Sequence, residues 1–149
     1  MRAVLQRVTR ASVRVEGRTV GETGMGLVVL LGIARDDTEE DARYLAEKTV
    51  SLRVFDDEEG RMNHSIVEAR GGLLVVSQFT LYGDARRGRR PSWFDAAPPE
   101  LAERLYEFYI AEVGGSVAHV SKGSFRKMME VELVNDGPVT ILLDSRKLF

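Results

Sequence analysis

Polar and apolar positions alternate along much of this chain, and the places where the alternation stops mark its other elements. From Ala3 to Val8, the set Val4, Gln6, Val8 opposes Ala3, Leu5, Arg7, and Ser12 to Val15 resume with Val13 and Val15 on one face. A period of two predicts a strand in each stretch. Glu16-Gly17-Arg18 reads as a hairpin turn and Gly21 to Gly26 as a glycine-rich bend. Leu27 to Ile33 is continuously apolar and rich in β-branched residues, the pattern of a central strand buried on both faces. Leu73 to Val76 repeats that pattern and leads into Ser77-Gln78-Phe79-Thr80-Leu81-Tyr82, a buried strand that turns polar at its end. Arg53-Val54-Phe55 and Val117 to Val120 give two short strands. Met129 to Val134 and Val139 to Leu143 give a closing hairpin, with Met129, Val131 and Leu133 inward and Glu130 and Glu132 outward.

Two stretches carry helical spacing instead. Asp36 to Asp41 supplies N-cap candidates and acidic first-turn residues, and Ala42, Leu45, Ala46 and Thr49 share a face, so a helix is predicted from Glu39 to Leu52. Pro98-Pro99-Glu100 opens a second helix, because proline suits a first helical turn. Leu101, Leu105, Phe108 and Tyr109 form its apolar face, and Gly114-Gly115 ends it. About seven strands and two helices result, without internal repeat or linker. Strands come in runs, which predicts a single α+β domain over residues 1–149, a mixed curved sheet or partial barrel with two main helices packed on it.

Composition narrows the function classes. The chain of 149 residues can bury one core. It has no cysteine, which excludes disulfides, thiolate metal sites and thiol nucleophiles. The N-terminal residues do not form a signal peptide and no apolar run reaches the ~20 residues of a membrane span, so a cytoplasmic location is expected. A net charge of −2 gives no overall nucleic-acid signature. The charge is unevenly placed, however: Arg86, Arg87, Arg89 and Arg90 fall within five positions, close to Trp93 and Phe94. This loop reads either as a phosphate-contacting segment with a stacking aromatic or as a solvated surface loop.

Most catalytic signatures are missing. His64 and His119 stand alone, without metal-ligand spacing, so neither metal nor cofactor is expected. The acidic turn Asp56 to Gly60 lacks the ligand spacing of a calcium loop. No GxSxG elbow occurs, and Gly21, Gly24 and Gly26 do not make a phosphate cradle. What remains is the end of the Leu73 strand, where Ser77, Gln78 and Thr80 place hydrogen-bonding groups at the mouth of a buried sheet. Alternation there puts Gln78 and Thr80 on one face and Ser77 and Phe79 on the other. These side chains serve either a site or the backbone groups of a strand terminus. The second candidate is Asn135-Asp136-Gly137-Pro138-Val139-Thr140. Asp-Gly between apolar runs is a hairpin signal, but the proline that follows removes a backbone donor at the start of the returning strand and makes a cis bond possible.

Ser77-Gln78-Phe79-Thr80-Leu81 and Asn135-Asp136-Gly137-Pro138-Val139-Thr140 together resemble the two signature motifs of the D-aminoacyl-tRNA deacylases, also called D-tyrosyl-tRNA deacylases. Gln6-Arg7-Val8-Thr9-Arg10-Ala11-Ser12-Val13 is similar to that family's N-terminus, and Arg90-Pro91-Ser92 to its loop. The resemblance covers the whole chain. It implies a homodimeric cytoplasmic hydrolase that cleaves the ester between a D-amino acid and the terminal adenosine of tRNA, accepts achiral glycine, and serves translation quality control. It implies a cis Gly137-Pro138 bond that reaches into the other subunit's site as a backbone wall against L side chains. Ser77, Gln78, Phe79 and Thr80 are the catalytic-side residues it implies. Arg7 would orient the Gly-Pro carbonyls, and Phe125 and Met129 would lie near the adenine.

Two mechanisms stay open on these residues: Thr80 as nucleophile, or assistance by the ribose 2′-hydroxyl with Phe79 and Thr80 backbone groups polarising the carbonyl. The second is expected, because no base for Thr80 is evident. Where the family usually carries small residues, this chain has Arg126-Lys127-Met128, which brings positive charge toward the acceptor stem or reshapes the pocket. The rival readings are a catalytically silent RNA-binding dimer and a hydrolase of another aminoacyl ester.

Overall fold

A single long strand, β1 (Arg2–Val15), is the spine of the computed structural model, which describes residues 1–149. The two strands predicted in this region are one. Their break in pattern has a local cause: Val8 pairs with Asn135 and Arg10 with Val134, so two steps of β1 face one step of the opposite strand. Such a bulge shifts side chains by one position. Ala11 and Val13 thereby join Val8 in one apolar cluster.

A two-residue turn, Glu16-Gly17, with φ of 50° and 75°, reverses the chain into β2 (Arg18–Thr23). Positive φ at both positions is what a two-residue type I′ hairpin turn requires. β2 pairs with Ala11 to Val15 of β1, and β3 (Gly26–Gly32) pairs with Arg2 to Val8 of the same strand. α1 (Glu39–Ser51) follows, its start tied by the Thr38 N–H donating to Asp41 at 2.8 Å. A separate small ribbon comes from β4 (Phe55–Asp56) and β5 (Met62–His64). β6 (Gly72–Ser77) lies parallel to β3, α2 (Pro99–Gly114) crosses back, and β7 (Val120–Lys122) lies parallel to β6.

The sheet order is β2-β1-β3-β6-β7, with β8 (Glu130–Asp144) on the other edge of β1. β2 approaches β7 closely enough to nearly close a barrel: the His119 ring Nε2 lies 3.1 Å from the Glu22 carbonyl. The α+β class and the curved sheet with two helices are therefore as expected, with eight strands where about seven were predicted. No helix is long and apolar enough to cross a membrane.

β3 and β6 are buried on both faces, as their unbroken apolar runs predict. On one face Leu27, Val29, Leu31, Leu73 and Val75 meet Leu45, Leu105, Tyr106 and Tyr109 of the helices. On the other, Val28, Leu74 and Val76 meet Val8, Ala11 and Val13. The buried side of α2 is Leu105, Tyr106, Tyr109 and Val113, whereas Leu101 and Phe108 of the expected face are only half-buried. Tyr106 is drawn in because its hydroxyl can donate to the Val75 carbonyl, at 2.7 Å, and Tyr109 because its hydroxyl meets that of Thr49 at 2.7 Å.

Two predicted elements are corrected. The strand expected to run on through Tyr82 stops at Ser77, and Phe79–Tyr82 form a 3-10 helical turn. The face assignment of Gln78 and Thr80 against Phe79 by alternation therefore does not apply. The closing hairpin is absent. Glu130 to Asn135 and Thr140 to Asp144 both pair with β1, so they are halves of one strand interrupted by a bulge. Asn135 to Thr140 spans five steps where Val8 to Gln6 spans two, which leaves three residues looped out of the ladder. A type I′ turn needs positive φ at both central positions and a type II′ turn at the first, whereas of Asp136 and Gly137 only the second, at 119°, has it. Met129, just before β8, and Leu133 within it pack inward as predicted, Glu130 and Glu132 are exposed, and Val131 remains 38% exposed in the single chain.

Candidate active site

β6 delivers the chain from the centre of the sheet to its upper edge, and there the backbone tightens into the Phe79–Tyr82 turn. The first hydrogen bond of this turn runs from the Leu81 N–H to the Gln78 carbonyl at 3.2 Å. The N–H groups of Phe79 and Thr80 lie ahead of it, where a helical turn has no internal acceptor for them. Gln78 donates through Nε2 to the Thr80 hydroxyl, which leaves the hydroxyl hydrogen free to point elsewhere. Phe79, 57% exposed, meets Trp93 edge to face with ring centroids 5.4 Å apart.

These groups line an open pocket of about 750 Å³. Ser77, Gln78, Phe79 and Thr80 form one part of its wall, and Phe125, Arg126, Lys127, Met128 and Met129 another. Six of the residues singled out from the sequence (Ser77, Gln78, Phe79, Thr80, Phe125, Met129) are thus brought to one cavity although more than 40 positions separate the two segments. The apolar floor comes from Leu31, Ile33 and Val76. Phe125 stacks at a tilt against Tyr106, centroids 5.9 Å apart, which ties the pocket wall to α2. Burial pushes the Tyr106 phenol pKa up, so it stays a donor to Val75.

Sequence reasoning missed the small residues that make room here. Ala96, Ala97 and Ala102 line the pocket where α2 begins, and nothing in their spacing marks them. Trp93, which the sequence offers only as part of the arginine loop, lines the pocket as well. The pocket wall carries no histidine and no carboxylate. No cluster of three or more His, Cys, Asp or Glu able to hold a metal occurs in the chain.

Gly137, Pro138 and Arg7 lie apart from this pocket, at the bulge of β8. The Gly137-Pro138 bond is cis. Arg7, on β1, is buried and reaches across three segments: Nη1–H donates to the Val54 carbonyl at 2.7 Å and to Asp56 at 3.3 Å, and Nε–H donates to the Asp136 carbonyl at 3.3 Å. The carbonyl it holds is the one before Gly137, not those of Gly137 and Pro138 themselves. From the other side, Asn135 accepts the Val139 N–H at 3.0 Å and donates to Thr140 at 3.0 Å. The six-residue motif is thus a frame of polar contacts around an exposed Gly-Pro step. His64 and His119 lie in neither place.

Comparison with known proteins bears directly on this arrangement. Residues 4–144 match the family model described as D-Tyr-tRNA(Tyr) deacylase. A D-aminoacyl-tRNA deacylase of Fervidobacterium nodosum is 58% identical over the full length of both chains. One of Symbiobacterium thermophilum is 60% identical over the whole of this chain and 99% of its own. Among solved structures, a c-Myc DNA unwinding element binding protein superimposes with a TM-score of 0.92 at 39% identity, covering 97% of this chain and 98% of that one. A probable eukaryotic D-amino acid tRNA deacylase shares the fold alone, with a TM-score of 0.79 at 18% identity over 95% and 97% of the two chains. With both signature segments folded around one pocket and one buttressed bulge, the chain belongs to the D-Tyr-tRNA(Tyr) deacylase family.

Proposed function

We propose that this chain hydrolyses the ester bond of D-aminoacyl-tRNA, releasing the free D-amino acid and tRNA. The observation that carries the reading is one pocket built from Ser77 to Thr80 and Phe125 to Met129 in a chain whose full-length relatives are named for that activity. The apolar and aromatic wall suits a nucleoside base, and the Phe79-Thr80 turn suits a developing oxyanion.

The chemistry follows from what the pocket lacks. Thr80 would need a base to become a nucleophile, and no histidine or carboxylate lines the wall. In the reading we favour, water adds to the ester carbonyl as the ribose 2′-hydroxyl takes up the proton the water loses, and the N–H groups of Phe79 and Thr80 hold the resulting oxyanion. The carbon–O3′ bond then breaks, and the 2′-hydroxyl passes its own proton to the leaving 3′-oxygen, so that one proton moves from water to O3′ over the whole step. Met129 and Phe125 border the adenine, and Ser77 and Gln78 orient the ester.

The chirality filter would be the main chain at Gly137-Pro138. These residues do not line their own chain's pocket, which supports delivery of the gate by a second copy in a homodimer. β8 pairs only with β1 and leaves its outer edge free, with Val134 and Leu142 exposed nearby, as an interface between copies would need. A wall of backbone rejects any side chain pointing in the L direction without recognising the D side chain. Glycine, with no side chain, would pass. The single domain of residues 1–149 would act where tRNA is charged, in the cytoplasm, as a quality-control step of translation.

Separate incubations with D-Tyr-tRNA, Gly-tRNA and L-Tyr-tRNA test this. Release from the first two and not the third is expected. Equal release from the L ester removes the gate, and release from none leaves an RNA-binding protein.

A further inference from the structure

The loop after the Phe79–Tyr82 turn is itself a small hairpin. Asp84 and Ser92 exchange backbone hydrogen bonds at 2.8 and 2.9 Å, and one foot of the hairpin is Trp93, a pocket-lining residue. Its tip carries four arginines with different fates. Arg86 folds back on Asp84, donating through Nε at 2.8 Å and through Nη2 at 2.7 Å. Arg87, Arg89 and Arg90 are exposed and have no carboxylate, side-chain hydrogen bond or aromatic ring as partner. Arg126 and Lys127, on the pocket wall, are also exposed and free of ion pairs. Three uncompensated cations therefore stand at the tip of a hairpin rooted beside the pocket and two on the pocket wall, in a chain whose net charge is −2.

A free amino acid or a nucleoside has no use for such a field. A chain of phosphodiesters entering the pocket by its 3′ end does. We propose that Arg87, Arg89 and Arg90 on the hairpin, with Arg126 and Lys127 on the pocket wall, bind the backbone phosphates next to the terminal adenosine of tRNA. The inference rests on the deacylase reading of the pocket. Arg86 has a different part: its pairing with Asp84 stiffens the base of the hairpin, and its neighbours stay available. Phosphate contacts position a nucleic acid without reading its sequence, so this loop acts on affinity for tRNA and not on the choice of amino acid.

The test uses two esters of D-tyrosine and the variant Arg87→Gln/Arg89→Gln/Arg90→Gln. One ester is D-Tyr-tRNA, and the other is 3′-O-D-tyrosyl-adenosine, which has no phosphate. Binding of deacylated tRNA is measured in parallel between about 50 and 200 mM salt. Every cation that neutralises a phosphate of a single strand adds roughly 0.7 to the slope of log affinity against log salt, so the triple variant should have a slope shallower by about 2. Its kcat/KM on D-Tyr-tRNA should fall while hydrolysis of the adenosine ester stays as in the parent. Arg126→Gln/Lys127→Gln should lower the binding slope further when added. A triple variant with the parental slope, an equal loss on both esters, or a parent that does not bind deacylated tRNA overturns the inference. If the parent hydrolyses neither ester, the deacylase reading fails, and the binding slope still decides the role of the loop.

Discussion

Arg7 and Asp136, on paired but distant strands, are joined twice: the Arg7 Nε–H donates to the Asp136 carbonyl at 3.3 Å and sits 3.2 Å from its carboxylate. The same guanidinium holds the Val54 carbonyl at 2.7 Å, so one buried side chain fixes the bulge relative to the loop before β4. Lysine has no planar fork and cannot reproduce this set. Arg7→Lys and Arg7→Ala should each destabilise the fold by about 1–3 kcal/mol, because a buried carbonyl loses its donor. Deacylation should fall by on the order of 10²-fold if the bulge shifts by an ångström. Denaturant melts and kcat/KM on D-Tyr-tRNA check both; an Arg7→Ala protein with normal activity would show that the bulge needs no brace.

Thr80 is exposed and its hydroxyl accepts from Gln78, with no base on the pocket wall. Thr80→Ala should retain activity within about tenfold of the parent, a loss of ~1.4 kcal/mol in transition-state binding at most. Single-turnover rates measure it. Near-complete loss with an intact fold would make Thr80 the nucleophile.

Gly137 combines a φ of 119° with crowding: a Cβ there would come within 2.8 Å of Val139 Cγ2 and 3.2 Å of Arg7 Nη2. Gly137→Ala should cost more than ~1 kcal/mol, since alanine does not adopt that conformation without strain. In a protein of this size that lowers Tm by about 2–4 °C or more, and the misplaced gate should impair turnover.

Subunit exchange tests where the gate acts. Gly137→Ala leaves the pocket whole, and Ala96→Trp fills the pocket while leaving the gate whole. If the gate serves the partner, a mixed dimer contains one good site made from the two good halves. A one-to-one mixture should then recover roughly a quarter of the parental activity, as random pairing in a twofold dimer gives. No recovery places the gate in its own chain.

The acid side of the stability profile follows from carboxylates held by donors. Backbone N–H donation from Arg61 and the Asn63 amide keep Asp57 below the ordinary carboxylate range, and the Ser65 backbone N–H does the same for Glu68. The Arg86 guanidinium holds Asp84 at about 2. Such groups bind fewer protons folded than unfolded, so their contribution is present above the unfolded pKa of about 4 and is lost as pH falls through the folded values. Tm should stay level from about pH 7 to 5 and decline below about 4. A Tm that rises on acidification contradicts these assignments.

The elements that were legible in the sequence are those whose pattern has one physical cause. Leu27 to Ile33 and Leu73 to Val76 read as doubly buried strands because only a sheet covered on both faces needs such runs. The starts of both helices were legible because Asp and Thr caps and an opening proline act locally. The motifs at Ser77 and Asn135 were legible as chemistry only through their family resemblance, since their residue types alone suit turns and strand ends equally well.

The sequence alone determined the local preferences: periodicity, caps, the Glu16-Gly17 turn, and the absence of thiols and of metal-ligand spacing. Tertiary structure decided the rest. Asp136-Gly137 was a hairpin signal by its own chemistry, but β1 is long enough to pair with both flanks, and the hydrogen bonds along that whole edge turn the segment into a bulge. Thr80 read as a strand residue until the sheet ended at Ser77 and left the next residues without a ladder to join. The pocket itself exists only where the β6 exit meets Phe125 to Met129 and the start of α2. A cavity is a relation between distant segments, and no single stretch of residues encodes it.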